Sequence, residues 1–262
     1  MKKVLSFALG ALMTLAMVGC GGNSSSNSSS ASDSKYITDK GTLIVGITDY
    51  APMDFKDDNG NWTGFDAEFA EAVGKKMGVK VEFVEINWDN KFLELNSKSI
   101  DCIWNGMTIT TEVTENTSCS KAYVKNEQVV VMKSDKLADY TDAESMKGLK
   151  FSAESGSAGE AAANDAGFNV TAVTAQSDAL MEVASGSADA CVIDGTMAKA
   201  MTGEGTSYAD LAVGITLTSE EYGVGFRKGS DMAEKLNGYI DELKNDGTLQ
   251  DLAEKYELTL AD

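Results

Sequence analysis

The sequence predicts an α/β protein of two similar lobes, and three observations lead to this prediction. From residue 41 onward, strand-like and helix-like segments alternate, which is typical of layered α/β folds with mostly parallel sheets. The pattern of residues 92–101 (a helix, a small-residue turn, an Asp and an apolar strand) returns at 180–189, an offset of 88 residues. No Pro- or Gly-rich linker divides residues 36–262, so we expect lobes joined by crossing strands rather than by a loose hinge.

Periodicity assigns the elements in the first half of this region. Apolar side chains at helical spacing predict a helix over 66–77 that Gly78 ends. Residues 79–86 alternate in the manner of a strand. The other elements predicted here are strands at 42–47 and 101–104 and a short helix at 89–95.

The second half repeats the alternation and then changes character. A Gly/Ser loop separates a predicted strand from an Ala-rich helix, as in a βαβ unit. The tail adds a strand-like run at 222–226 and two helices without a strand between them. The predicted elements are strands at 149–153 and 169–173, and helices at 158–166, 232–243 and 249–256.

The amino terminus has the features of an export signal. Two Lys precede a short apolar segment, and residues 1–19 are predicted to be a signal peptide, too short for a membrane span. A small residue followed by Cys20 resembles a bacterial lipobox, which predicts a diacylated anchor at Cys20. The alternative is an ordinary signal with a chance Cys. With the anchor, residues 20–35 would be the lipidated Cys and a Ser-rich tether.

Composition excludes several classes of protein. The chain of 262 residues is 43% hydrophobic, enough for one or two ordinary domains, and carries a formal net charge of −19. This acidity disfavours nucleic acid as a partner. There is no His, which removes the usual general base and the commonest metal ligand, so we predict no cofactor, no metal site and no catalytic residues.

Besides Cys20, the chain has three Cys, namely Cys102, Cys119 and Cys191. An odd number outside the cytoplasm leaves at least one free thiol. Cys102 and Cys191 lie in apolar strand-like runs, where Cys usually behaves as a small buried hydrophobe. A bridge between Cys102 and Cys119 remains open at this point.

Several ordered blocks of residues resemble the family 3 bacterial extracellular solute-binding proteins. The clearest is Gly64-Phe-Asp-Ala-Glu-Phe-Ala70, and the resemblance extends over most of the chain after the signal. The other blocks are Tyr50-Ala51-Pro52, Trp88-Asp89, Asn105 to Thr110, Cys119 to Tyr123, Ser155 to Ser157, Asp189 to Asp194, Tyr222 to Gly229 and Asp246 to Leu249.

This resemblance implies a two-lobe periplasmic-binding-protein fold of type II, with the ligand in the cleft between the lobes. Residues 36–126 and 222–262 would form one lobe and 127–221 the other, joined by two crossing strands. The chain would be a monomeric receptor of an ABC importer that delivers an amino acid or amine to a membrane permease. The alternatives are an extracellular ligand-sensing subunit and, on the same fold, a dehydratase-like enzyme.

The resemblance also implies a set of ligand contacts. Tyr50 and Trp88 match the positions that sandwich the ligand, although each ring would also suit a core. Ser157 opens a helix whose free N–H groups favour an anion, or it is simply a helix cap. Asp194 matches the acid that receives the ligand's α-ammonium, or it caps the helix that follows.

A stretch after one apolar strand completes this set. Asn105, Gly106 and Thr108 match groups that receive the ligand's ammonium and carboxylate, and their alternative role is a turn at a strand end. Both this stretch and Asp194 follow apolar strands, where ligands of open α/β sheets bind.

The most informative residue departs from the family pattern. In the family an Arg binds the ligand's α-carboxylate at the position that is Val113 here, and the single Arg of the chain, Arg227, matches a strand end away from the cleft. Either Ser157, backbone amides and a Lys hold the carboxylate, or the ligand lacks one. Asp49 and Glu154 match further lining positions, and with Asp194 they would make a negative pocket that suits a cationic ligand. The alternative is that Asp49 and Glu154 point to solvent.

Overall fold

Two five-stranded sheets organise residues 32–262, the part of the chain that the computed structural model describes. The strands are β1 (Thr42–Ile47), β2 (Phe55–Lys56), β3 (Trp62–Thr63), β4 (Lys80–Glu85), β5 (Cys102–Ile103), β6 (Thr117–Cys119), β7 (Val124–Lys133), β8 (Lys150–Glu154), β9 (Asn169–Val173), β10 (Ala190–Asp194), β11 (Leu211–Tyr222) and β12 (Gly225–Arg227). The α-helices are α1 (Asp33–Lys40), α2 (Phe65–Met77), α3 (Lys91–Ser97), α4 (Thr111–Asn116), α5 (Ala143–Met146), α6 (Ala158–Asp165), α7 (Gln176–Ser185), α8 (Gly195–Met201), α9 (Met232–Asn245) and α10 (Thr248–Lys255), and 3₁₀ helices span Trp88–Asn90 and Leu137–Asp139.

The first sheet has the strand order β4-β1-β5-β12-β6 and the second the order β11-β7-β10-β8-β9. The expectation of mostly parallel sheets is wrong, because half of the ladders in these two sheets are antiparallel. The reason is the route of the chain. It enters the second sheet along β7 and returns along β11, and the two strands pair antiparallel from Leu211↔Lys133 to Tyr222↔Val124.

Local signals in the sequence located most of the other elements. Helix α2 ends where Gly78 adopts a left-handed conformation, with a φ of 71°, in which its N–H donates to the carbonyl of Gly74. The predicted helix at 89–95 begins as the 3₁₀ turn Trp88–Asn90 and continues as α3. The strand predicted over 222–226 is divided between the end of β11 and β12.

The sequence echo at 92–101 and 180–189 corresponds to a shared local geometry. Asp101 and Ile44 form a pair, in which the Asp101 N–H donates to the Ile44 carbonyl and the Ile44 N–H to the Asp101 carboxylate. Asp189 and Lys150 form the same two bonds at the start of β8. In each sheet, therefore, the repeated Asp fixes the helix-to-strand turn against the edge of a neighbouring parallel strand.

Arg227 is part of the structural interior of the first sheet. Its guanidinium forms ion pairs with Asp33 and with the buried Asp101, and it donates to the carbonyls of Leu95 and Ile100. The residue therefore ties α1 and α3 to β12. The expectation that it lies away from the candidate cleft agrees with this position.

Two further observations concern the described residues alone. Cys102, Cys119 and Cys191 are free thiols, so the bridge between Cys102 and Cys119 that the sequence left open is not formed. Within residues 32–262, no helix combines the length and the apolar character that crossing a membrane requires. The proposed lipidation site, Cys20, and the predicted signal peptide lie outside these residues.

Candidate functional site

A cavity of about 330 Å³ lies where the segments that follow β5 and β8 meet the end of β10. Carboxyl ends of strands from both sheets thus face one space, as the sequence predicts for a site of this fold class. Seven of the nine residues predicted to bind a ligand line the cavity, namely Trp88, Asn105, Gly106, Thr108, Glu154, Ser157 and Asp194. Its other walls are formed by Lys91, Thr110, Thr111, Glu112, Val113, Gln128, Gly156, Ala158, Ala161 and Gln176.

Asp194 ends β10 and is held in place by side-chain amides. Its Oδ1 accepts hydrogen bonds from Asn126 Nδ2 at 2.6 Å and Gln128 Nε2 at 2.7 Å, and its Oδ2 accepts one from Gln176 Nε2. Although Asp194 occupies the position before α8, its side chain makes no capping bond to that helix. Its carboxylate is therefore oriented by these amides rather than by the helix, and it lines the cavity.

A second carboxylate shares two of the same donors. Glu220 Oε1 accepts from Asn126 Nδ2 and Gln128 Nε2, each at 2.8 Å, and from Thr108 Oγ1 at 2.6 Å. Burial raises the pKa of Asp194 to about 7, and the nearby charge of Glu220 adds to this rise, while the bond from Gln176 opposes it. At neutral pH, Asp194 is thus balanced between its charged and protonated forms.

Glu154, the last residue of β8, is 3% exposed, and its Oε1 has no hydrogen-bond partner among the described residues. Burial raises the pKa of Glu154 to about 8, the charge of Asp194 raises it further, and the charge of Lys91 lowers it. A buried carboxyl oxygen without a donor is costly. The expectation that Glu154 reaches solvent therefore does not describe this side chain, and the cavity is the space from which a donor can reach it.

Lys91 opens α3 and is the basic side chain among the described residues that line the cavity. Its ammonium donates to the carbonyl of Gly156 at 2.9 Å and to that of Trp88 at 3.3 Å, and lies 5.0 Å from the centre of the Trp88 ring. Burial lowers its pKa, and the charges of Glu112 and Glu154 act in the opposite direction. Gly156 follows β8, so Lys91 connects α3 with the second sheet.

Trp88 and Ser157 both line the cavity. Trp88 begins the 3₁₀ turn before α3 and is 7% exposed, so its ring is largely core with one side on the cavity. Ser157 precedes α6, and its Oγ accepts the Glu160 N–H at 3.0 Å. Ser157 is thus a helix cap, one of the two roles that the sequence left open, and it also lines the cavity; its binding of a ligand stays a prediction.

Asn105 and Gly106 line the cavity, and the side chain of Asn105 is buried in hydrogen bonds within the protein. Asn105 Nδ2 donates to Asp54 Oδ2 at 2.7 Å, and its Oδ1 accepts from the N–H and the hydroxyl of Thr48. The Gly106 N–H donates to Asp66 Oδ2 at 2.6 Å. The side chain of Asn105 and the N–H of Gly106 are thus occupied by other groups of the protein.

Tyr50 and Asp49 do not line the cavity. Tyr50 lies behind Gly106, where a Cβ added to the glycine would be 2.6 Å from the Tyr50 ring. Its hydroxyl is hydrogen-bonded to Thr196 Oγ1 and to the Tyr222 hydroxyl, both at 2.5 Å. Asp49 is exposed, and burial of part of its surface together with the charge of Glu85 raises its pKa.

The wall at Val113 is apolar. Val113 lies in the first turn of α4, where Thr110 caps the helix by accepting the Val113 N–H, and its side chain packs with Trp88 and Met107. Arg227 is engaged with Asp33 and Asp101 and does not reach the cavity. Within the described chain, the only arginine is thus separate from the candidate site.

A larger groove of about 1230 Å³ lies on another side of β7 and β11. Several charged residues of mixed sign line it, including Lys125, Glu127, Lys199 and Lys255. These side chains are exposed, whereas the smaller cavity holds buried carboxylates and a buried ammonium. We therefore take the smaller cavity as the candidate ligand site.

Five polar residues around this cavity were not predicted from the sequence: Lys91, Asn126, Gln128, Gln176 and Glu220. The amides follow no motif, since Asn and Gln occur widely in loops and strands. A weak signal was present for Gln128, because it directly precedes the apolar run Val129–Met132 of the same strand. Lys91 resembles any charged residue at a helix start, so its burial was not visible.

Comparisons with known proteins agree on one family. Residues 43–259 match "Bacterial extracellular solute-binding proteins, family 3". The arginine-binding extracellular protein ArtP of Bacillus subtilis is 31% identical over 266 residues, covering 98% of each chain. An ancestral arginine-binding protein bound to arginine superposes with a TM-score of 0.77 at 36% identity, over 82% of this chain and 98% of that one. The ancestral amino acid-binding protein AncCDT-1, a precursor of cyclohexadienyl dehydratase, gives a TM-score of 0.79 at 33% identity, over 86% and 99% of the two chains.

Proposed function

We propose, on the premise that this chain belongs to the family 3 bacterial extracellular solute-binding proteins, that its cavity receives an amino acid with a cationic group. The protein is an extracytoplasmic solute-binding receptor of the amino acid transport class, with the type II periplasmic-binding fold. The observation that carries the proposed ligand class is the buried Glu154 Oε1, an acceptor in the cavity wall that has no donor among the described residues.

A second unpartnered acceptor supports the same ligand class. Gln128 Oε1 is also buried without a hydrogen bond, and Gln128 lines the cavity beside Asp194. Acceptors that lack donors are satisfied by a ligand that brings N–H groups, and ammonium or guanidinium groups bring several. The acidic side chains of Glu154 and Asp194 would both gain a charge partner from such a group. This pairing offsets the cost of burying the two carboxylates.

The proposed arrangement places the cationic end of the ligand against Glu154 and Asp194. The face of the Trp88 ring would cover the ligand's apolar part, and the carbonyls near Gly106 together with Thr108 would complete the contacts. Tyr50 and Asn105 would support the Gly106 turn from behind rather than touch the ligand. Asp49 would not take part.

The relatives lend support to a guanidinium or ammonium ligand. ArtP is named for arginine, and the ancestral structure was solved with arginine bound. In this chain, the two acids would meet such a ligand within a cavity of about 330 Å³, which lies in the range of small-molecule sites.

The receptor is proposed to act without chemistry of its own. AncCDT-1 is itself an amino acid-binding protein although a dehydratase descends from it, so the fold is compatible with either role. An assay for loss of water from small carboxylic acids, followed by NMR with the purified protein, tests this. Turnover above the rate without protein would replace the receptor proposal with an enzymatic one.

The two sheets are proposed to mark two lobes, 36–126 with 222–262 and 127–221, that close on the ligand about β7 and β11. Hinge closure of this kind is driven by contacts that both lobes make to the same ligand. The closed receptor would then deliver its ligand to an ABC permease. Small-angle scattering with and without ligand tests closure, and an unchanged radius of gyration on saturation would contradict it.

Lipidation at Cys20 is proposed as the anchor at the outer face of the membrane. A diacylated Cys supplies the two chains that stable anchoring needs. Replacing Cys20 with Ala should release the protein in soluble form. If the variant remains in the membrane fraction, another segment anchors the protein.

Binding experiments test the ligand class directly. Thermal-shift screening followed by calorimetry at pH 8 should find L-arginine, L-lysine or L-histidine among the ligands that raise the apparent stability most, because a ligand stabilises the state that binds it. L-Glutamate should bind poorly, since a second carboxylate would face Glu154 and Asp194. Glutamate or aspartate as the tightest ligand would overturn the cationic class but not the receptor assignment.

A further inference from the structure

Lys91 is a buried cation whose surroundings do not neutralise it. The residue is 5% exposed, and its ammonium donates to two backbone carbonyls, those of Trp88 and Gly156. A carbonyl accepts a hydrogen bond but carries no net charge, and an ammonium has three protons to donate. The rings of Trp88 and Phe92 lie 5.0 and 4.9 Å from the ammonium and attract its charge, but they supply no anionic partner. One donor of Lys91 and an anionic partner for its charge are therefore left to be met from the cavity that it lines.

The acids near Lys91 act on it only from a distance. Glu112, Glu154 and Asp89 influence its pKa through their charges and not through hydrogen bonds. Glu154 keeps an unpartnered oxygen although a cation lines the same cavity. The cavity thus presents a positive and a negative group that are held apart instead of being paired with one another.

Separated charges of opposite sign match a ligand that itself carries both. An amino acid has an ammonium and a carboxylate on neighbouring atoms, whereas an amine has only the cationic part. We propose that Lys91 binds the carboxylate of the ligand whose cationic end meets Glu154 and Asp194, and that Lys91 thereby selects amino acids over amines. This inference rests on the proposed function, because it concerns the other end of the same ligand.

The position of Lys91 fits this role. The ammonium lies at the carbonyl of Gly156, directly before Ser157 and the first turn of α6, and Ala158 in that turn also lines the cavity. A carboxylate beside Lys91 would therefore lie near the positive end of the α6 dipole as well. Val113, which also lines the cavity, offers no polar side-chain group, so Lys91 is the cation of the described cavity wall that a carboxylate can meet.

The test compares each amino acid with its decarboxylated form. Calorimetry on the full exported chain would use L-arginine and agmatine, L-lysine and cadaverine, and L-histidine and histamine. For the pair that binds, the wild-type protein should prefer the amino acid by about tenfold or more, the order expected of a hydrogen-bonded charge pair. Lys91→Met should lower the affinity for the amino acid by a similar factor and change that for the amine less than threefold.

Three variants make the outcome decisive. Lys91→Arg keeps the charge and should retain the preference, and Lys91→Gln gives a second neutral variant if Lys91→Met fails to fold. Lys75→Met removes a charge from the exposed face of α2 and should leave both affinities unchanged. Equal losses for the amino acid and the amine would show that Lys91 only connects α3 with Gly156, and would overturn the inference while leaving the cationic ligand class intact. Binding of none of the three pairs to the wild-type protein would instead overturn the proposed ligand class and the inference with it.

Discussion

The hydroxyl oxygens of Tyr50 and Thr196 lie 2.5 Å apart, although Tyr50 follows β1 of the first sheet and Thr196 lies in α8 beside the second. The Tyr222 hydroxyl is hydrogen-bonded to both. The two sheets are thus linked by side chains at this point and by Lys91 and Gly156 at another. If the sheets belong to lobes that close on a ligand, both links form part of the closed state.

We expect Tyr50→Phe to weaken ligand binding through closure. Removing one hydroxyl from this cluster costs about 0.5–1.5 kcal/mol, which corresponds to a roughly twofold to tenfold loss of affinity in calorimetry. Tyr256→Phe is a matched control, because that hydroxyl bonds to Glu68 in the first half of the chain. If Tyr50→Phe and the wild-type protein bind the ligand with equal affinity, the Tyr50 hydroxyl does not contribute to closure.

Glu154→Gln should weaken the binding of a cationic amino acid by about tenfold or more. A hydrogen bond to a charged group contributes roughly 1.5–3 kcal/mol, and about 1.4 kcal/mol corresponds to a factor of ten. Glu112→Gln removes the same charge from an exposed residue that also lines the cavity, and its affinity should change less than threefold. The proposed role of Glu154 fails if the two variants lose affinity equally.

Affinity for a cationic ligand should rise with pH between about 6 and 8. The pKa of Asp194 is raised to about 7 and that of Glu154 from 4.5 to about 8, so both acids carry protons at the lower end of this window and must lose them to attract a cation. Lys91, Glu220 and Asp178 are the other charged groups that act on this pair. Calorimetry at pH 6 in buffers of different ionisation enthalpy should detect proton release on binding. A heat independent of the buffer would contradict this.

The empty protein should respond to pH in the opposite direction. Because the pKa of Glu154 is higher in the folded state than its usual value of 4.5, the folded state holds more protons between about pH 4.5 and 8, and stability falls as pH rises through that window. Glu154→Gln should therefore match the wild-type melting temperature at pH 4.5 and exceed it at pH 8. Each kcal/mol corresponds to roughly 2–4 °C in a domain of this size. A variant that melts below the wild-type protein at pH 8 would contradict the burial of an unpartnered carboxylate.

Arg227→Met should destabilise the fold and leave ligand affinity unchanged. The substitution leaves Asp33 without its charge partner and the buried Asp101 with Lys40 alone, and breaking a buried pair costs at most about 3–5 kcal/mol. Denaturant unfolding measures this loss, and calorimetry well below the melting temperature measures affinity. A fall in affinity larger than threefold would mean that α1 and β12 influence the cavity.

Short-range signals predicted elements that form locally. The spacing of apolar residues in α2 and the glycine after it are readable within a dozen residues, and the repeated Asp101 and Asp189 mark the same turn twice. The antiparallel pairing of β7 with β11 could not be predicted in this way. Its partners, such as Val124 and Tyr222, lie far apart in sequence, and no local pattern shows which strands pair. This is why the sheets were expected to be more parallel than they are.

Some residues of the candidate site could likewise be predicted from local sequence, and others could not. The cavity is lined by Glu154 and Asp194, which end strands, and by Ser157, which lies shortly after one. A position at the carboxyl end of a strand could be recognised from the sequence. Tyr50 lies one layer deeper because Gly106 passes between its ring and the cavity, a packing relation that spans the first sheet. Lys91 was missed because the sequence does not show whether a Lys at the start of a helix is exposed or buried. Here the loop after β8 buries it, and its ammonium donates to the carbonyl of Gly156.

The place of β12 between β5 and β6 has a consequence for how the protein reaches its native state. The middle of the first sheet is filled by Gly225–Arg227, residues that come near the end of the chain. A chain that emerges amino terminus first cannot complete this sheet until almost all of it has emerged, because the closing contacts span more than a hundred residues and are slow to form. Completion of the first sheet is thereby postponed until Gly225–Arg227 can insert between β5 and β6.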